Sequence, residues 1–457
     1  MKRNDSPIYL FEQMPIPKAV AKLSVPMVIT SLVTIVYNLA DTFFVGMLND
    51  PIQNAAVTLV YPVILAFYAV NNLFGIGTSS MMSRCLGEGD YERVRNSSVF
   101  GFYGALFCAV AFALLCTLFR TPLLYLLGAD ADTFEATSDY LFWTVTCGAV
   151  PAILNVVQGS MARSEGAAFH ASIGTMSGCI LNIILDPIFI LPWGLDMGAA
   201  GAGLATFLSN CAASFYFLGL ARIKRGKTFI CLDIRRLKQL NRGVVFGILG
   251  VGIPASIQNL LNVTGSAILN NYTAGYGAAA VAAMGIGQKL HSIPMQVVFG
   301  FSQGIMPLVS YNYASGNRSR MKSCVLFSMG VILPAVAMVT AGYWFGASPL
   351  IRLFMENGEI VAYGTRFLRG MCLSLVFLTM DFTAVGVFQA LGRGRNALIF
   401  AVMRKVLLEI PLLLILNALF PLYGLAYAQT GAEIVLAAAA IIMLRRIFRE
   451  KEGMKTA

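Results

Sequence analysis

VPMVITSLVTIVYNLADTFFVGMLN, residues 25–49, contains a single charged side chain, Asp41, which stands alone between Lys22 and Asp50. A helix of about 20 apolar residues spans the roughly 30 Å hydrocarbon core of a bilayer. This stretch therefore reads as a membrane crossing with a carboxylate inside it. A carboxylate in hydrocarbon costs several kcal/mol unless it faces protein interior, water or a partner, and such residues commonly mark ion, proton or substrate sites. Asp186 repeats the pattern, closing the run IGTMSGCILNIILDP at 173–187.

The rest of the chain is built alike. Hydrophobic residues make up 57% of its 457 positions and charged ones 12%, about half the charged share of a soluble protein. No ionised side chain occurs at 51–83, 96–119, 140–162, 197–221, 243–288, 323–351 or 410–432. At that depth the backbone must satisfy itself, which leaves helices or a closed barrel, and these runs are too long and too uniformly apolar for barrel strands. Gly, Pro and charge clusters break the chain into twelve expected spans, at 22–46, 54–82, 96–119, 136–160, 167–190, 198–221, 243–270, 277–309, 323–345, 363–390, 396–418 and 424–444. The expected fold class is an all-α polytopic membrane protein.

Basic residues orient it. Lys2, Arg3, Lys18, Lys22, Arg84, Arg93, Arg95, Arg163, the segment RIKRGKTFICLDIRRLKQLNR at 222–242, Arg318, Arg320, Lys322, Arg393, Arg395, Arg445, Arg446, Arg449, Lys451 and Lys455 all fall on one side. The other side holds Arg120 and Arg352 among seven acids. The positive-inside bias puts both termini in the cytoplasm. The net charge of +11 is thus spread over loops beside anionic lipid headgroups, which argues against nucleic acid as a partner. The start lacks the apolar core of a signal peptide. Nine cysteines without a C-x-x-C spacing and two histidines give no metal or disulfide framework, and no phosphate-binding glycine loop occurs. No cofactor and no enzymatic centre are expected.

The sequence also repeats. At an offset of 228, SVPMVITSLVTIVYNLADTF (24–43) lies over GIPASIQNLLNVTGSAILNN (252–271), bringing Pro26 onto Pro254. At 227, GIGTSSMMSRCLGEGD (75–90) lies over SQGIMPLVSYNYASGN (302–317), bringing Gly77, Ser83 and Gly89 onto Gly304, Ser310 and Gly316. SMARSEG (160–166) meets QALGRGR (389–395) within a residue or so. Two parallel six-helix repeats follow, with an N-terminal lobe at 1–221, a basic cytoplasmic linker at 222–242 and a C-terminal lobe at 243–457. Leu269 and Leu414 stand where the first half has Asp41 and Asp186, so the acid pair belongs to one lobe. Asp41, Asp186 and Thr206 reach similar depths, roughly 7–12 Å from the outer end. Tyr37 and Asn38 lie one turn from Asp41, and Asn182 one turn from Asp186. Such a cluster suits either a shared, exchangeable proton or a partly dehydrated cation such as Na⁺ held by oxygen ligands. The alternative for Asp186 is that it merely ends its helix before Pro187.

LFEQMPIPKAVAKLSVPMVITSLVTIVYNLADTFFVG (10–46), SRCLGEGD (83–90), SEGAAFHASIGTMSGCILNIILDPIFI (164–190) and VFQALGRGRN (387–396) together resemble the multidrug and toxic compound extrusion family, in its small bacterial branch that exports cationic drugs. The resemblance implies twelve helices in two lobes around a V-shaped cavity, and antiport of organic cations against H⁺ or Na⁺ in the bacterial cytoplasmic membrane. It maps the ion site onto Asp41, Asn182, Asp186 and Thr206, which would be metal ligands only if Na⁺ is the coupling ion. H⁺ is favoured. A second pattern of the family has a carboxylate in helix seven, where this chain has Gln258, Asn259 and Asn262. That departure favours coupling through the N-terminal lobe.

In the C-terminal half, Gln288, Lys289 and His291 lie within helix eight, and Asp381 in helix ten is expected to pair with Lys289, Arg369 or a bound cation. Glu409 follows Lys405 by four residues, the spacing of a helical ion pair. Tyr37, Met176 and Met284 are candidate lining groups for cations of varied shape. The competing function is a flippase for a lipid-linked saccharide, which needs a basic cavity. Arg120, Lys289, Arg352, Arg366 and Arg369 are the five basic residues counted outside the cytoplasmic ends, and only Lys289 and Arg369 read as deep. A receptor, scaffold or enzyme gives no reason for repeated halves with buried acids. Function as a monomer among membrane lipids is expected.

Overall fold

The structure, a computed structural model, describes residues 7–449. Lys2, Arg3, Lys451 and Lys455, counted above, lie outside the described residues. A short helix α1 (Pro7–Glu12) precedes twelve helical rods. In the first half these are α2 (Ile16–Gly46), α3 (Pro51–Glu88), α4 (Tyr91–Leu118), the broken rod of α6 (Phe134–Leu141) and α7 (Ala149–Ser164), α8 (Ala168–Ile190) and α9 (Gly198–Ile223), with a short α5 (Arg120–Leu126) after α4. In the second half α10 (Arg242–Ala274), α11 (Ala278–Ala314) and α12 (Arg318–Phe345) are followed by a short α13 (Ala347–Arg352), the rod of α14 (Gly358–Cys372) and α15 (Ser374–Ala390), the broken rod of α16 (Gly394–Val402) and α17 (Ile410–Leu419), and α18 (Gly424–Arg449).

Among the described residues, nine helices are long and apolar enough to cross a membrane, and the α6–α7 rod, bent by 45°, makes up to ten. Both broken rods contain a π-helical turn, Phe142–Cys147 in one and Met403–Glu409 in the other. Rods 394–419 and 424–449 fall outside those ten, and they carry Arg404, Lys405, Glu409 and Glu433.

Helix ends follow local caps rather than the hydrocarbon boundary, so several rods outrun the expected spans. α3 begins at Pro51 because Asp50 accepts from the Ile52 amide at 2.9 Å and proline suits a first helical turn. It ends at Gly89, whose φ of 74° closes a left-handed cap. Gly316 does the same for α11 with φ of 83°. The other glycine pair of the repeat is also matched in use. A Cβ on Gly77 would sit 2.5 Å from the carbonyl oxygen of Ile248 in α10, and one on Gly304 would sit 2.8 Å from Cα of Ser24 in α2. Both positions let a helix backbone approach another at a distance only glycine permits.

Contacts divide the chain into two compact units. One is Ile29–Ser256, here the N-terminal unit; the other, the C-terminal unit, is Met1–Val28 with Ile257–Ala457. The division falls inside α2 and α10, in each case three residues after the matched prolines, Pro26 and Pro254. Proline lacks the amide that would bond to the carbonyl four residues back, so the ladder is weakest close to where each helix changes unit.

Segment 224–241 does not hang free of the N-terminal unit. Cys231 donates its amide to Ser98 Oγ at 3.0 Å, Tyr103 Oη donates to the Leu232 carbonyl at 2.9 Å, and Phe229 stacks on Tyr91 with ring centroids 5.1 Å apart. Glu165, just past the end of α7, anchors it by accepting from Thr228 Oγ1 at 2.7 Å and from the Phe229 amide at 2.9 Å. Burial nevertheless holds the Glu165 carboxyl above its ordinary range, outweighing those hydrogen bonds and the nearby Lys224.

Candidate ion-coupling site and its charged counterpart

In the N-terminal unit, α8 and α9 pack closely. A Cβ on Gly178 would lie 3.2 Å from the Ser209 carbonyl oxygen, so the small residue there sets the approach. One turn further along α8 are Asn182 and then Asp186, 2% and 0% exposed. Of the two orientations of the Asn182 amide, one satisfies its surroundings. Nδ2 then donates to Asp186 Oδ2 at 2.9 Å, while Oδ1 accepts from the Thr206 amide at 3.1 Å and from Thr206 Oγ1 at 3.3 Å. Asn182 is thus a clamp between α8 and α9 with Asp186 at its tip. Helix α8 runs on through Pro187 to Ile190, so Asp186 does not end the helix, and that alternative is corrected.

Asp41, half-buried on α2, lies within electrostatic range of Asp186, and both acids act on the phenol of Tyr140. Tyr37 is within range of Asp41, and Tyr68 of Tyr37. Sequence reasoning missed Tyr140 and Tyr68. Tyr140 sits among the buried polar residues Thr137, Ser138 and Thr144 at the start of its rod, a polar stripe in an otherwise apolar span that was legible in advance. Among the described residues no lysine or arginine forms an ion pair with Asp41 or Asp186.

The C-terminal unit handles its acids differently. Arg404, in the π-helical turn, places NH1 3.1 Å from Asp381 Oδ2 and 3.8 Å from Glu433 Oε1, and its NH2 donates to Asn262 Oδ1 at 2.6 Å. The guanidinium also covers the ring of Phe382 at 5.1 Å. The expected partners of Asp381 are therefore corrected. Lys289 is exposed, and Arg369 donates to the Trp344 carbonyl at 3.0 Å. The count of deep basic residues is corrected too, since Arg404 and Lys405 are 3% and 8% exposed. Both lie inside the expected span 396–418, where charged neighbours on a bulged turn can both face protein. The Lys405–Glu409 pair forms as its spacing requires, with Nζ 2.6 Å from Oε1.

The remaining candidates scatter. Ser374 Oγ gives its hydrogen to the Met371 carbonyl at 2.7 Å, so it accepts from His291 Nε2 at 3.0 Å, and the histidine is satisfied in the core. Gln288 donates to Asn270 Oδ1 at 3.0 Å. Met284 is packed with Phe367 and Met371 in the core of the C-terminal unit. Tyr37, Met176, Gln258 and Asn259 are half-buried and Asn38 is exposed.

The family profile MatE matches this chain twice, over residues 26–188 and 254–415. Its two starts differ by the 228 residues of the internal repeat. The chain belongs to the multidrug and toxic compound extrusion family. Among curated members of this family it is 33% identical over 445 residues to the multidrug export protein MepA of Staphylococcus aureus strain MRSA252, covering 96% of each chain. It is 34% identical over 446 residues to MepA of Staphylococcus saprophyticus, again covering 96% of each. Among solved structures, an outward-facing multidrug resistance MATE family transporter of the MOP superfamily superposes with a TM-score of 0.91 at 26% identity, over 98% of this chain and 99% of that one. A MOP superfamily transporter from Pyrococcus furiosus, whose reversed pocket polarity suggested a different function, gives 0.88 at 26% identity, over 99% and 100%. This MATE protein is therefore an all-α, multi-spanning membrane transporter of the twelve-helix, two-lobe class.

Proposed function

We propose that this protein is a secondary active antiporter that exports bulky, mostly cationic organic compounds in exchange for H⁺, with Na⁺ as the alternative coupling ion. The observation that carries the reading is the pair Asp41 and Asp186, one of them wholly buried, with Asn182 and Thr206 beside Asp186 and no lysine or arginine among the described residues in an ion pair with either acid. An uncompensated carboxylate at such depth is stable only when it binds a proton or a mobile cation. Occupancy of that pair changes the charge buried in the N-terminal unit, and a charge change of that kind biases a bistable transporter between its inward-open and outward-open states.

In this reading Asp41 and Asp186 hold the coupling ion, and Asn182 and Thr206 fix the geometry. Tyr37, Asn38, Met176, Gln258 and Asn259 contact substrate. The lobes are 1–221 and 243–457, joined by 222–242. Both termini face the cytoplasm of a bacterial cell, and the protein works as a monomer. A lipid-linked saccharide flippase is disfavoured, because the deep cations Arg404 and Lys405 are already matched to Asp381 and Glu409. Purified protein in liposomes, loaded with a fluorescent organic cation under separately imposed H⁺ and Na⁺ gradients, tests the reading. Gradient-driven movement of the dye supports it, and movement indifferent to both gradients rejects it.

A further inference from the structure

The interior of the N-terminal unit holds more amide groups than the acid site uses. From Asp186 a hydrogen-bonded series runs through Asn182 to Thr206, whose carbonyl accepts from Asn210 Nδ2 at 2.9 Å. Asn210 Oδ1 in turn accepts from Asn155 Nδ2 on α7 at 3.2 Å. There the protein's own bonds stop. Among the described residues Asn155 Oδ1 has no hydrogen-bond partner, nor has Oε1 of Gln158 one turn along the same face, and these side chains are 7% and 6% exposed. A buried acceptor left without a donor has lost its hydration with nothing in exchange, which is destabilising. An amide serving only as a clamp is bonded at both ends, as Asn182 is. Two orphan acceptors a turn apart are instead the arrangement that a bridging water satisfies.

Beyond Gln158 the space continues. The residue lines a cavity of about 30 Å³ bounded by α7, α9 and segment 228–232, with Glu165, Lys224 and Thr228 among its walls. A cavity of that size has room for water. Helices α7 and α9 both end beside segment 222–242, so the series leads from the acid site to the basic end of the unit.

We propose that Asp186, Asn182, Thr206, Asn210, Asn155 and Gln158 line a hydrated path through the interior of the N-terminal unit, along which the coupling proton passes between the acid pair and the linker-bearing end, apart from the substrate's own route. The proton's part in this rests on the antiport reading, while the hydration does not, and two measurements separate them.

The first is reactivity. The nine native cysteines are replaced, one cysteine is introduced as Gln158→Cys, and Ag⁺, a water-sized thiol reagent, is applied to membrane vesicles from the linker side. Prior Ag⁺ is expected to protect that cysteine from later alkylation in detergent, while Val157→Cys, at a fully buried apolar position, stays unprotected. An unprotected cysteine at 158, or equal protection at both positions, overturns the path.

The second is transport. Asn155→Leu and Gln158→Met are expected to slow H⁺-driven export about tenfold with dye affinity unchanged within about twofold, and Asn155→Ser, which keeps a small polar group and room for water, to recover most of the rate. Wild-type rates in both apolar variants overturn the proton's use of the path. If these variants fail to fold, the silver result still decides the hydration, and H⁺-driven export by the Gln158→Cys protein after Ag⁺ treatment decides the proton's use of the path: slowed export supports it and export at the untreated rate overturns it. Wild-type protein that shows no gradient-driven export refutes the antiport reading without touching the silver result.

Discussion

Asp186 in the N-terminal unit and Asp381 in the C-terminal unit are 0% and 1% exposed, yet their neighbours differ. Asp186 receives one amide hydrogen bond, and among the described residues its charged neighbour is another acid, Asp41. Asp381 has Arg404 at 3.1 Å, with Glu433 on the guanidinium's other side and Asn262 holding its NH2. A buried charge must be paired, neutralised or hydrated. In one unit a side chain supplies the counter-charge permanently and so ties α10, α15, α18 and the π-helical turn together. In the other unit no side chain among the described residues supplies one, and on the proposed antiport reading it comes from outside and can leave again. The same residue type is therefore a structural tie in one half of the repeat and, on that reading, a coupling group in the other. The balance in the C-terminal unit is not perfect. Among the described residues three carboxylates, Asp381, Glu409 and Glu433, face two cations, and both oxygens of Glu433 lack a hydrogen bond.

That contrast can be broken in several places. The largest loss of stability is expected from Arg404→Met, which strands Asp381 and Glu433 together; removing one partner of a buried pair typically costs about 3–5 kcal/mol. Thermal unfolding in detergent should show it, and Asp381→Asn should cost less because Glu433 remains for the guanidinium. A harmless Arg404→Met would mean that the cluster ties nothing. Next comes Asp186→Asn, expected to slow gradient-driven export about tenfold or more, equivalent to about 1.4 kcal/mol, with the fold intact because no cation is stranded. Asn182→Ala and Thr206→Ala, which loosen the clamp but keep both acids, should lower the same rate by only about threefold. Glu433→Gln should leave more than half the wild-type export rate. A loss as deep as that of Asp186→Asn would give the C-terminal unit a coupling group of its own.

The smallest effect concerns pH. Burial raises the Glu165 carboxyl in the folded protein, so its contribution to stability is full below the unfolded value and is lost as pH rises through the folded one. Glu165→Gln should therefore gain stability relative to wild type as pH increases, and a melting-temperature difference that stays flat with pH would refute the assignment.

Much of this is legible in the sequence itself. Charge-free runs are a direct consequence of hydrocarbon solvation, so the rods followed from them, and the glycines paired by the repeat carry matched duties at Gly77 and Gly304 and at Gly89 and Gly316. Asp41, Asn182, Asp186 and Thr206 were named because lone polar residues in apolar runs stand out. Arg404 was overlooked, and Lys405 was left out of the deep basic residues although its pair with Glu409 was expected, for the converse reason. They sit in a rod with a third charge, Glu409, and local pairing looked sufficient. The long-range link of Arg404 to α15 and α18 depends on a π-helical turn and on packing that pattern reading does not supply. Met284 and His291 show the same limit from the other side, since position along a span does not say which face is core.

The central claim is that Asp41, half-buried and with no lysine or arginine ion pair among the described residues, binds the coupling ion. It is tested most directly by Asp41→Asn in purified protein reconstituted into liposomes, with efflux of a fluorescent organic cation followed under an imposed H⁺ gradient and then under a Na⁺ gradient. The account predicts wild-type efflux driven by H⁺ and, in the variant, efflux no faster than the passive leak with the dye still bound. Efflux by Asp41→Asn at the wild-type rate under the same gradient would contradict it.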